Sequence, residues 1–401
     1  MGDALGQHIE LEISNVAHGG VMVARHDGRV IFVSDAIPGE RVRAVVTDDA
    51  KAKFWRADTV EVLRASPHRQ PHVWSAASLD REPEQRAGGA EFGHIALAHQ
   101  RELKRQVLAD ALHRMAGLDP DVVVEALPGA ADGTGWRTRV RLHAGDDGVL
   151  GPYAARSHRV VPVVDLPLAT PEVAAAAPLG EPAAGAVEIT QPSVGPVVVL
   201  ADGARGDAIT ERVGDREFRL DAGGFWQVHL HAAATLTEAV QSAIDPGIFD
   251  QDAANLDLYG GVGLLAAAVG DRFGSGIRIE SVESDARASE HARANLAEWT
   301  GAAAVAARVD RYLARLRTER TRLEAATVVL DPPRSGAGKD VVASLAALGP
   351  AQLVYVACDP VALARDLALF GERGYRLSGI RAFDLFPHTH HVEAVASLVR
   401  G

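Results

Sequence analysis

A single cysteine, Cys358, ends an apolar run in this chain of 401 residues. The run Val354–Ala357 has the composition of a buried strand, and Asp359-Pro360 after the cysteine is a turn signal. In α/β proteins, ligands bind and reactions occur at the carboxyl ends of strands. A lone thiol is commonly a small buried hydrophobic residue. Here its position favours a nucleophile, because the thiolate readily attacks electron-poor carbon.

A second apolar run, Val328–Leu330, ends in Asp331-Pro332-Pro333-Arg334. Paired prolines fix the backbone after a buried strand and hold the Asp331 carboxylate at its tip. Such an acid can hydrogen-bond a substrate or polarise a site. The alternative interpretation is a simple strand terminator.

The segment from Phe383 to Glu393 contains an acid and three histidines. Glu393 is a candidate for removing a proton from a substrate. His388, His390 and His391 resemble a metal cluster, but no cysteine and no helical pair at i and i+4 supports zinc. We therefore expect no metal, and either a polar loop or a contact with an anionic substrate.

A glycine-rich turn follows the strand-like run Asn255–Leu258 and reads Tyr259-Gly260-Gly261-Val262-Gly263. Glycines let a ligand approach the backbone closely, and Glu283, twenty residues on, is placed to bind ribose hydroxyls. A dinucleotide site would look similar, and a packing turn with a solvated Glu283 is the plainer alternative. The pattern Asp-x-Tyr-Gly-Gly-x-Gly differs from that of pyrophosphate binders and favours S-adenosylmethionine.

These residues need a scaffold of alternating strands and helices, and residues 221–401 have that pattern. We predict an α/β, Rossmann-like, doubly wound sheet that ends in an antiparallel pair over 377–383 and 391–399. Residues 1–65 alternate at period two between turn dipeptides, which predicts a five-stranded barrel. Residues 66–220 give a mixed signal, with helical periodicity over 99–115, and form a predicted central region.

Composition limits the class of protein. The chain is 47% hydrophobic and 23% charged, with a net charge of −12 and a pI near 5.7. That balance argues against a non-specific nucleic-acid coat, but not against an enzyme with one basic cleft. One cysteine excludes a disulfide framework. The first residues lack a signal-peptide pattern and the apolar runs are short, so we expect a cytoplasmic protein without membrane contact. The oligomeric state stays open, with a monomer as the default expectation.

Four segments together resemble the RNA 5-methyluridine methyltransferases, which are class I S-adenosylmethionine-dependent enzymes. They are 224–228, 331–336, 355–367 and 384–393. The segments 19–25 and 37–40 resemble the TRAM domain that such enzymes often carry, which implies an RNA-binding barrel. The resemblance covers nearly the whole chain and is weakest over 120–215.

The resemblance implies methylation of uridine carbon 5 in tRNA or rRNA. Cys358 would add to carbon 6, and Glu393 would then remove the carbon-5 proton. The implied cofactor-binding residues are Gln227, Tyr259, Gly261, Gly263, Glu283, Asp310 and Asp331. The implied substrate-binding residues are Asp331, Arg334 and Phe225.

The chain departs from the family pattern in several places. Ala87-Gly88-Gly89-Ala90 stands where some members have Cys-Gly-Gly-Cys, so we expect no iron–sulfur cluster. Asp359 replaces the usual Asn after the nucleophile, and an added acid should raise the pKa of the thiol. Leu264 and His229 stand where polar residues and Asn are common.

Two other functions compete with this one. A non-catalytic RNA-binding or assembly factor would keep the fold, and the acidic charge and Asp359 are its support. A nitrogen or protein methyltransferase would carry an Asn-Pro-Pro-Tyr type edge and need no cysteine, so Asp331-Pro332-Pro333-Arg334 with Cys358 disfavours it.

Overall fold

The N-terminal part of the chain is a closed five-stranded barrel, as the sequence predicts. The computed structural model describes residues 4–51 and 53–401. The barrel order is β1-β2-β3-β5-β4, with β3 and β5 parallel and the other pairs antiparallel. Alternate side chains such as Leu11 and Ile13 point into its core. The strands are β1 His8–Val16, β2 Met22–His26, β3 Arg29–Ser34, β4 Arg41–Asp48 and β5 Phe54–Arg64.

A long helix joins the barrel to the rest of the molecule. Helix α1 runs over Leu97–Ala111 and continues as a π-helical turn over Leu112–Ala116. Two 3₁₀ turns, Ser75–Ala77 and Pro83–Gln85, precede it in the chain. Leu103 packs in the barrel core, whereas Leu108 packs in the core of the C-terminal sheet. The helix therefore connects the two cores.

The central region contributes a small sheet and a hairpin. Its four-stranded sheet has the order β10-β9-β7-β8, and the hairpin β11-β12 lies beside it. These elements are β7 Arg139–Ala144, β8 Leu150–Gly151, α2 Pro171–Ala176, β9 Ala186–Thr190, β10 Val198–Ala201, β11 Ala208–Val213 and β12 Arg216–Asp221.

The C-terminal part is a doubly wound sheet, as predicted, in which eight described strands have the order β15-β14-β13-β16-β17-β19-β18-β6. Strands β13 to β17 are parallel, and β19 runs antiparallel between β17 and β18. The elements are α3 Ala232–Ala243, β13 Asn255–Leu258, α4 Leu264–Phe273, β14 Ile279–Glu283, α5 Ala286–Asn295, β15 Ala302–Ala306, α6 Val309–Thr318, β16 Thr327–Leu330, α7 Gly338–Leu348, β17 Gln352–Ala357, α8 Pro360–Gly371, β18 Tyr375–Asp384 and β19 Glu393–Arg400.

Strand β17 shows how the sheet separates two cores. Leu353 and Tyr355 face the core beneath α6, α7 and α8, whereas Val354 and Val356 face the core beneath α3 and α4. The strand reads as a continuous apolar run because both of its faces are buried. The strand order reverses between β13 and β16, and ligands bind at such a switch point in α/β sheets.

The short strand β6, Val124–Ala126, forms one edge of the C-terminal sheet by pairing in parallel with β18. It comes from the range predicted as the central region, so that range is distributed between two structural units. The boundaries at 65 and 220 stay predictions. No helix in the described residues has both the length and the apolarity needed to cross a membrane.

Candidate active site

Three chemically active side chains come from neighbouring strand ends of the catalytic sheet. Asp331 follows β16 and Cys358 follows β17, and these strands pair in parallel with Leu330 opposite Tyr355. Glu393 begins β19, which runs antiparallel to β17 with Ala394 opposite Ala357. The end of β17 and the start of β19 therefore share one edge. This topology gathers the thiol and both acids from distant parts of the sequence.

The three residues open into a cleft of about 1120 Å³. Every predicted site residue except Gly263 lines this cleft. At one end lie the glycine turn after β13 and the ends of β14 and α6, and at the other lie Cys358 and Glu393. The cleft is long enough to hold a cofactor beside a second substrate.

Burial raises the pKa values of the ionisable groups at the chemical end of the cleft, the end that holds Cys358 and Glu393. The pKa of Cys358 is raised to about 12 by burial and by the nearby Glu393 and Asp331, with Arg334 acting in the opposite direction. Burial and Asp331 raise the pKa of Glu393 well above its ordinary value. Burial and the buried Asp257 raise that of Asp331 to about 7. Near neutral pH the free site therefore holds protons that ordinary acids would have released.

The turn after β13 is shaped for close contact with a ligand. Tyr259 has a φ of 62°, which is uncommon for a residue with a side chain and is found at functional sites. A Cβ on Gly260 would lie 2.0 Å from Ser281 Oγ and 2.5 Å from Asp257 Oδ2, so no side chain fits there. Glu283 accepts a hydrogen bond from the Gly261 backbone N–H at 3.1 Å, which ties the turn to β14.

Gly263 has a different position from the one expected. It lies outside the cleft lining, caps α4 with a φ of 91°, and faces Leu296, whose Cγ would be 3.1 Å from an added Cβ. This glycine serves the turn and the packing of α4. The sequence motif could not distinguish this packing role from contact with a ligand, because both roles need glycine at this position.

The other predicted cofactor residues occupy the cleft wall. Asp310, in the first turn of α6, receives two hydrogen bonds of 3.1 Å from Arg308. Gln227 follows Phe225, whose ring is 75% exposed on the cleft wall. Arg139 fixes this segment by donating to the Gly224 carbonyl at 2.6 Å. Phe225 thus presents an open aromatic face, suited to stacking on a base.

The loop that carries Arg334 is held by a hydrogen bond to Asp366 on α8. Asp366 on α8 accepts hydrogen bonds from the Tyr355 hydroxyl at 2.7 Å and the Ala337 backbone N–H at 2.8 Å. Arg334 itself lies 3.4 Å from His391 Nε2. The Arg334 side chain is exposed, so its guanidinium is available to a phosphate or a base.

Sequence reasoning missed Arg137, which also lines the cleft. Burial lowers its pKa, and its guanidinium lies 5.4 Å from the centre of the Trp136 ring. The sequence Gly135-Trp136-Arg137 has no recognisable motif. A buried arginine beside a cleft is a signal that only the fold supplies.

Comparison with known proteins identifies the family of this chain. The tRNA (Uracil-5-)-methyltransferase family matches residues 248–400, and the TRAM domain matches residues 4–60. An RNA methyltransferase of Streptomyces avermitilis is 40% identical, with 98% of each chain covered. The 23S rRNA (uracil(1939)-C(5))-methyltransferase RlmD of Alkalilimnicola ehrlichii is 30% identical, with 98% of this chain and 96% of the relative covered. This chain belongs to the RNA (uracil-5-)methyltransferase family.

The fold of the family is equally clear. The crystal structure of Pyrococcus abyssi tRNA (uracil-54, C5)-methyltransferase in complex with S-adenosyl-L-homocysteine matches with a TM-score of 0.69. It is 22% identical, with 99% of this chain and 100% of that chain covered. As an RNA (uracil-5-)methyltransferase with a class I fold, the protein takes its methyl group from S-adenosylmethionine, as predicted.

Asp359, the residue that follows Cys358, has two partners. Its Oδ1 accepts a hydrogen bond from the Ala362 backbone N–H at 2.8 Å and caps α8. Its Oδ2 lies 2.7 Å from His18 Nε2 in the barrel. The pKa of Cys358 is raised, as expected, but by burial, Glu393 and Asp331. Both oxygens of the Asp359 carboxylate are thus engaged, and its effect on the Cys358 thiol stays a prediction.

The histidines between β18 and β19 are not equivalent. His388 is buried; its Nδ1 accepts a hydrogen bond from the Gln100 side-chain amide at 3.0 Å, and its Nε2 donates to the Asp132 carbonyl at 2.7 Å. His390 lies 3.7 Å from Glu91, and His391 faces the cleft. His388 is therefore part of the scaffold, and His391 is available to substrate.

Proposed function

We propose that this protein methylates carbon 5 of a uridine by covalent catalysis, with Cys358 as the nucleophile and Glu393 as the base. The observation that carries the proposal is that both groups lie at one buried edge of the sheet. They line the same cleft as the glycine turn and Glu283. A nucleophile, a base and a nucleoside site in one cleft are the parts that this reaction needs.

The cofactor end of the cleft fits S-adenosylmethionine by the chemistry of its groups. Glu283 and Asp310 supply carboxylates for ribose hydroxyls and an exocyclic amine, and Tyr259 supplies an aromatic ring. Gly260 keeps the turn compact, because Ser281 and Asp257 fill the space that a side chain at this position would need. S-adenosylmethionine bound there supplies the methyl group that carbon 5 of the uracil accepts.

The protein groups carry out the remaining chemistry. The Cys358 thiolate forms a bond to uracil carbon 6, and the electrons of the carbon 5–carbon 6 double bond move toward the carbonyl oxygen at carbon 4. Carbon 5 then bonds to the methyl group as the bond between that methyl and sulfur breaks, which leaves S-adenosylhomocysteine, and the ionised Glu393 carboxylate accepts the carbon-5 proton. The double bond re-forms and Cys358 leaves as thiolate. Covalent addition is required because uracil carbon 5 is a weak nucleophile.

The raised pKa values support these roles. A carboxylate with a raised pKa, such as Glu393, is a stronger proton acceptor once it is ionised. Asp331, with a pKa of about 7, can donate or accept a hydrogen bond at neutral pH and is suited to bind the uracil ring of the substrate. Arg334 opposes the negative charge that develops beside Cys358.

We propose ribosomal RNA as the first substrate to test. The full-length similarity at 30% identity is to an enzyme that acts on 23S rRNA. The structural similarity to a tRNA methyltransferase, at 22% identity, supports the fold alone. Transfer RNA is therefore the second substrate to test.

Methyl-labelled S-adenosylmethionine, 23S rRNA fragments and tRNA transcripts provide the test. We expect the wild-type protein to transfer label to one uridine, and Cys358→Ala to transfer none while it still binds the cofactor by calorimetry. RNA containing 5-fluorouracil should form a covalent adduct with the wild type, because Glu393 has no carbon-5 proton to remove. Methyl transfer by Cys358→Ala would contradict the proposal. RNA binding without transfer by the wild type would favour a non-catalytic factor.

A further inference from the structure

The turn between β1 and β2 of the barrel reaches the chemical end of the cleft. Residues 17–20 line a cavity of about 180 Å³ together with Arg334, Cys358, Asp359 and His390. Gly20 has a φ of 74°, and a Cβ there would lie 2.5 Å from His390 Cβ. The barrel turn therefore packs directly against the segment that carries the catalytic groups.

His18 in this turn contacts the residue after the nucleophile. Its Nε2 lies 2.7 Å from Asp359 Oδ2, and the two side chains are 49% and 23% exposed. A carboxylate only accepts hydrogen bonds, so the His18 ring donates. Because Asp359 Oδ1 already caps α8 through Ala362, both carboxylate oxygens are occupied.

This pair matters because of the position of Asp359. A carboxylate adjacent to a thiol disfavours the thiolate, and the pKa of Cys358 is already raised by burial, Glu393 and Asp331. Burial acts to raise the pKa of Asp359, but the hydrogen bond from His18 brings it below its ordinary value. The same hydrogen bond raises the pKa of His18. The two residues thus behave as an ion pair whose charges cancel beside the nucleophile.

Other charged groups near this pair have partners of their own. Lys104 contacts Asp384 at 2.5 Å, His390 faces Glu91, and Arg334 approaches His391. Their interactions leave His18 as the contact that balances Asp359 directly.

We propose that His18 is a positioning residue for the reaction: from the N-terminal barrel it holds Asp359 in the cap of α8 and offsets its charge beside Cys358. The proposal rests on the function of Cys358 as nucleophile. An uncharged cap such as Asn would need no cation at this position, whereas the Asp359 carboxylate does.

The single cysteine makes the test direct. Alkylation of Cys358 by iodoacetamide, followed by mass spectrometry over a range of pH, reports thiolate formation without RNA or cofactor. We expect His18→Ala to move the alkylation profile to higher pH by about one unit, which lowers the alkylation rate near pH 7.5 about tenfold. We expect kcat to fall by a similar factor, with the KM for S-adenosylmethionine unchanged.

The decisive variant is Asp359→Asn in the His18→Ala background. Asn caps helices as well as Asp and carries no charge, so the double variant should recover the wild-type alkylation profile and kcat. His26→Ala, which removes another barrel histidine lying 3.7 Å from Asp27, is the matched control and should change neither.

Two results would overturn the inference. One is a His18→Ala protein with the wild-type alkylation profile and kcat. The other is a slowed His18→Ala protein that Asp359→Asn does not rescue. Neither result bears on Cys358 as nucleophile, which is tested separately by methyl transfer in the wild type and in Cys358→Ala.

Discussion

Lys104 on α1 and Asp384 at the end of β18 form a buried ion pair, with Nζ and Oδ1 2.5 Å apart and side chains 0% and 2% exposed. Lys104 Nζ also donates to the Phe386 carbonyl at 3.0 Å. One turn earlier, Gln100 accepts a hydrogen bond from the His388 backbone N–H at 2.8 Å. Helix α1 therefore fixes the loop that leads into Glu393.

Lys104→Met should destabilise the protein by about 3–5 kcal/mol, because it leaves the Asp384 charge buried without its partner. Urea unfolding followed by circular dichroism measures the loss. Lys53→Met, at an exposed barrel position, is the control and should change the free energy of unfolding by less than about 0.5 kcal/mol. Equal stability of the two variants would show that the pair contributes little.

Glu393→Gln should lower kcat by about 10² to 10⁴, since the amide cannot accept the carbon-5 proton. Elimination then stalls, so a covalent complex between Cys358 and unmodified RNA should accumulate in the presence of S-adenosylmethionine. Denaturing gels show this complex as a band of reduced mobility. A variant that turns over at the wild-type rate would assign the proton to another base.

Gly260→Ala should weaken cofactor binding and destabilise the fold by about 1–3 kcal/mol, because the added methyl overlaps Ser281 and Asp257. Calorimetric titration with S-adenosylhomocysteine and thermal unfolding measure the two effects. Gly276→Ala is the control, since a Cβ there has nothing within 4 Å. Unchanged affinity in Gly260→Ala would mean that the turn adjusts freely.

Asp331→Asn should reduce the loss of stability between pH 5 and pH 8. The pKa of Asp331 is raised in the folded state to about 7 by burial and Asp257. An acid whose pKa is higher in the folded state than in the unfolded state stabilises the fold while it is protonated. That stabilisation is lost as the pH rises through the folded-state pKa. Thermal unfolding of the cofactor-free proteins at pH 5 and at pH 8 measures this effect. The decrease in Tm between the two pH values should be smaller for Asp331→Asn than for the wild type. The same decrease in both proteins would contradict the assignment.

Much of the fold and the chemical edge could be predicted from local sequence. The runs before Asp331 and Cys358 are apolar throughout because both faces of their strands are buried, and the following turns mark the strand ends. The five-stranded barrel was predicted because its strands carry their own period-two alternation and are separated by turn residues. Local patterns of this kind need no information on distant residues.

The rest depends on pairs that sequence does not relate. His18 and Asp359 are 341 residues apart, and nothing in either segment indicates the other. Lys104 occupies a helix position that a charged residue would ordinarily expose, and its burial is possible only because Asp384 faces it. Strand β6 has three residues, too few for any periodicity. These features come from tertiary packing.

Glu393 is the first residue of β19, so the register of this strand decides on which face of the sheet its carboxylate lies. Side chains alternate across a strand, so a slip of one residue against β17 would turn the carboxylate to the opposite face of the sheet. The pairing of Leu398 with Leu353 and of Val399 with Gln352 holds that register from the far end of the strand. An extension or truncation at the C-terminus is consequently a perturbation of the active site, although it lies at the opposite edge of the sheet.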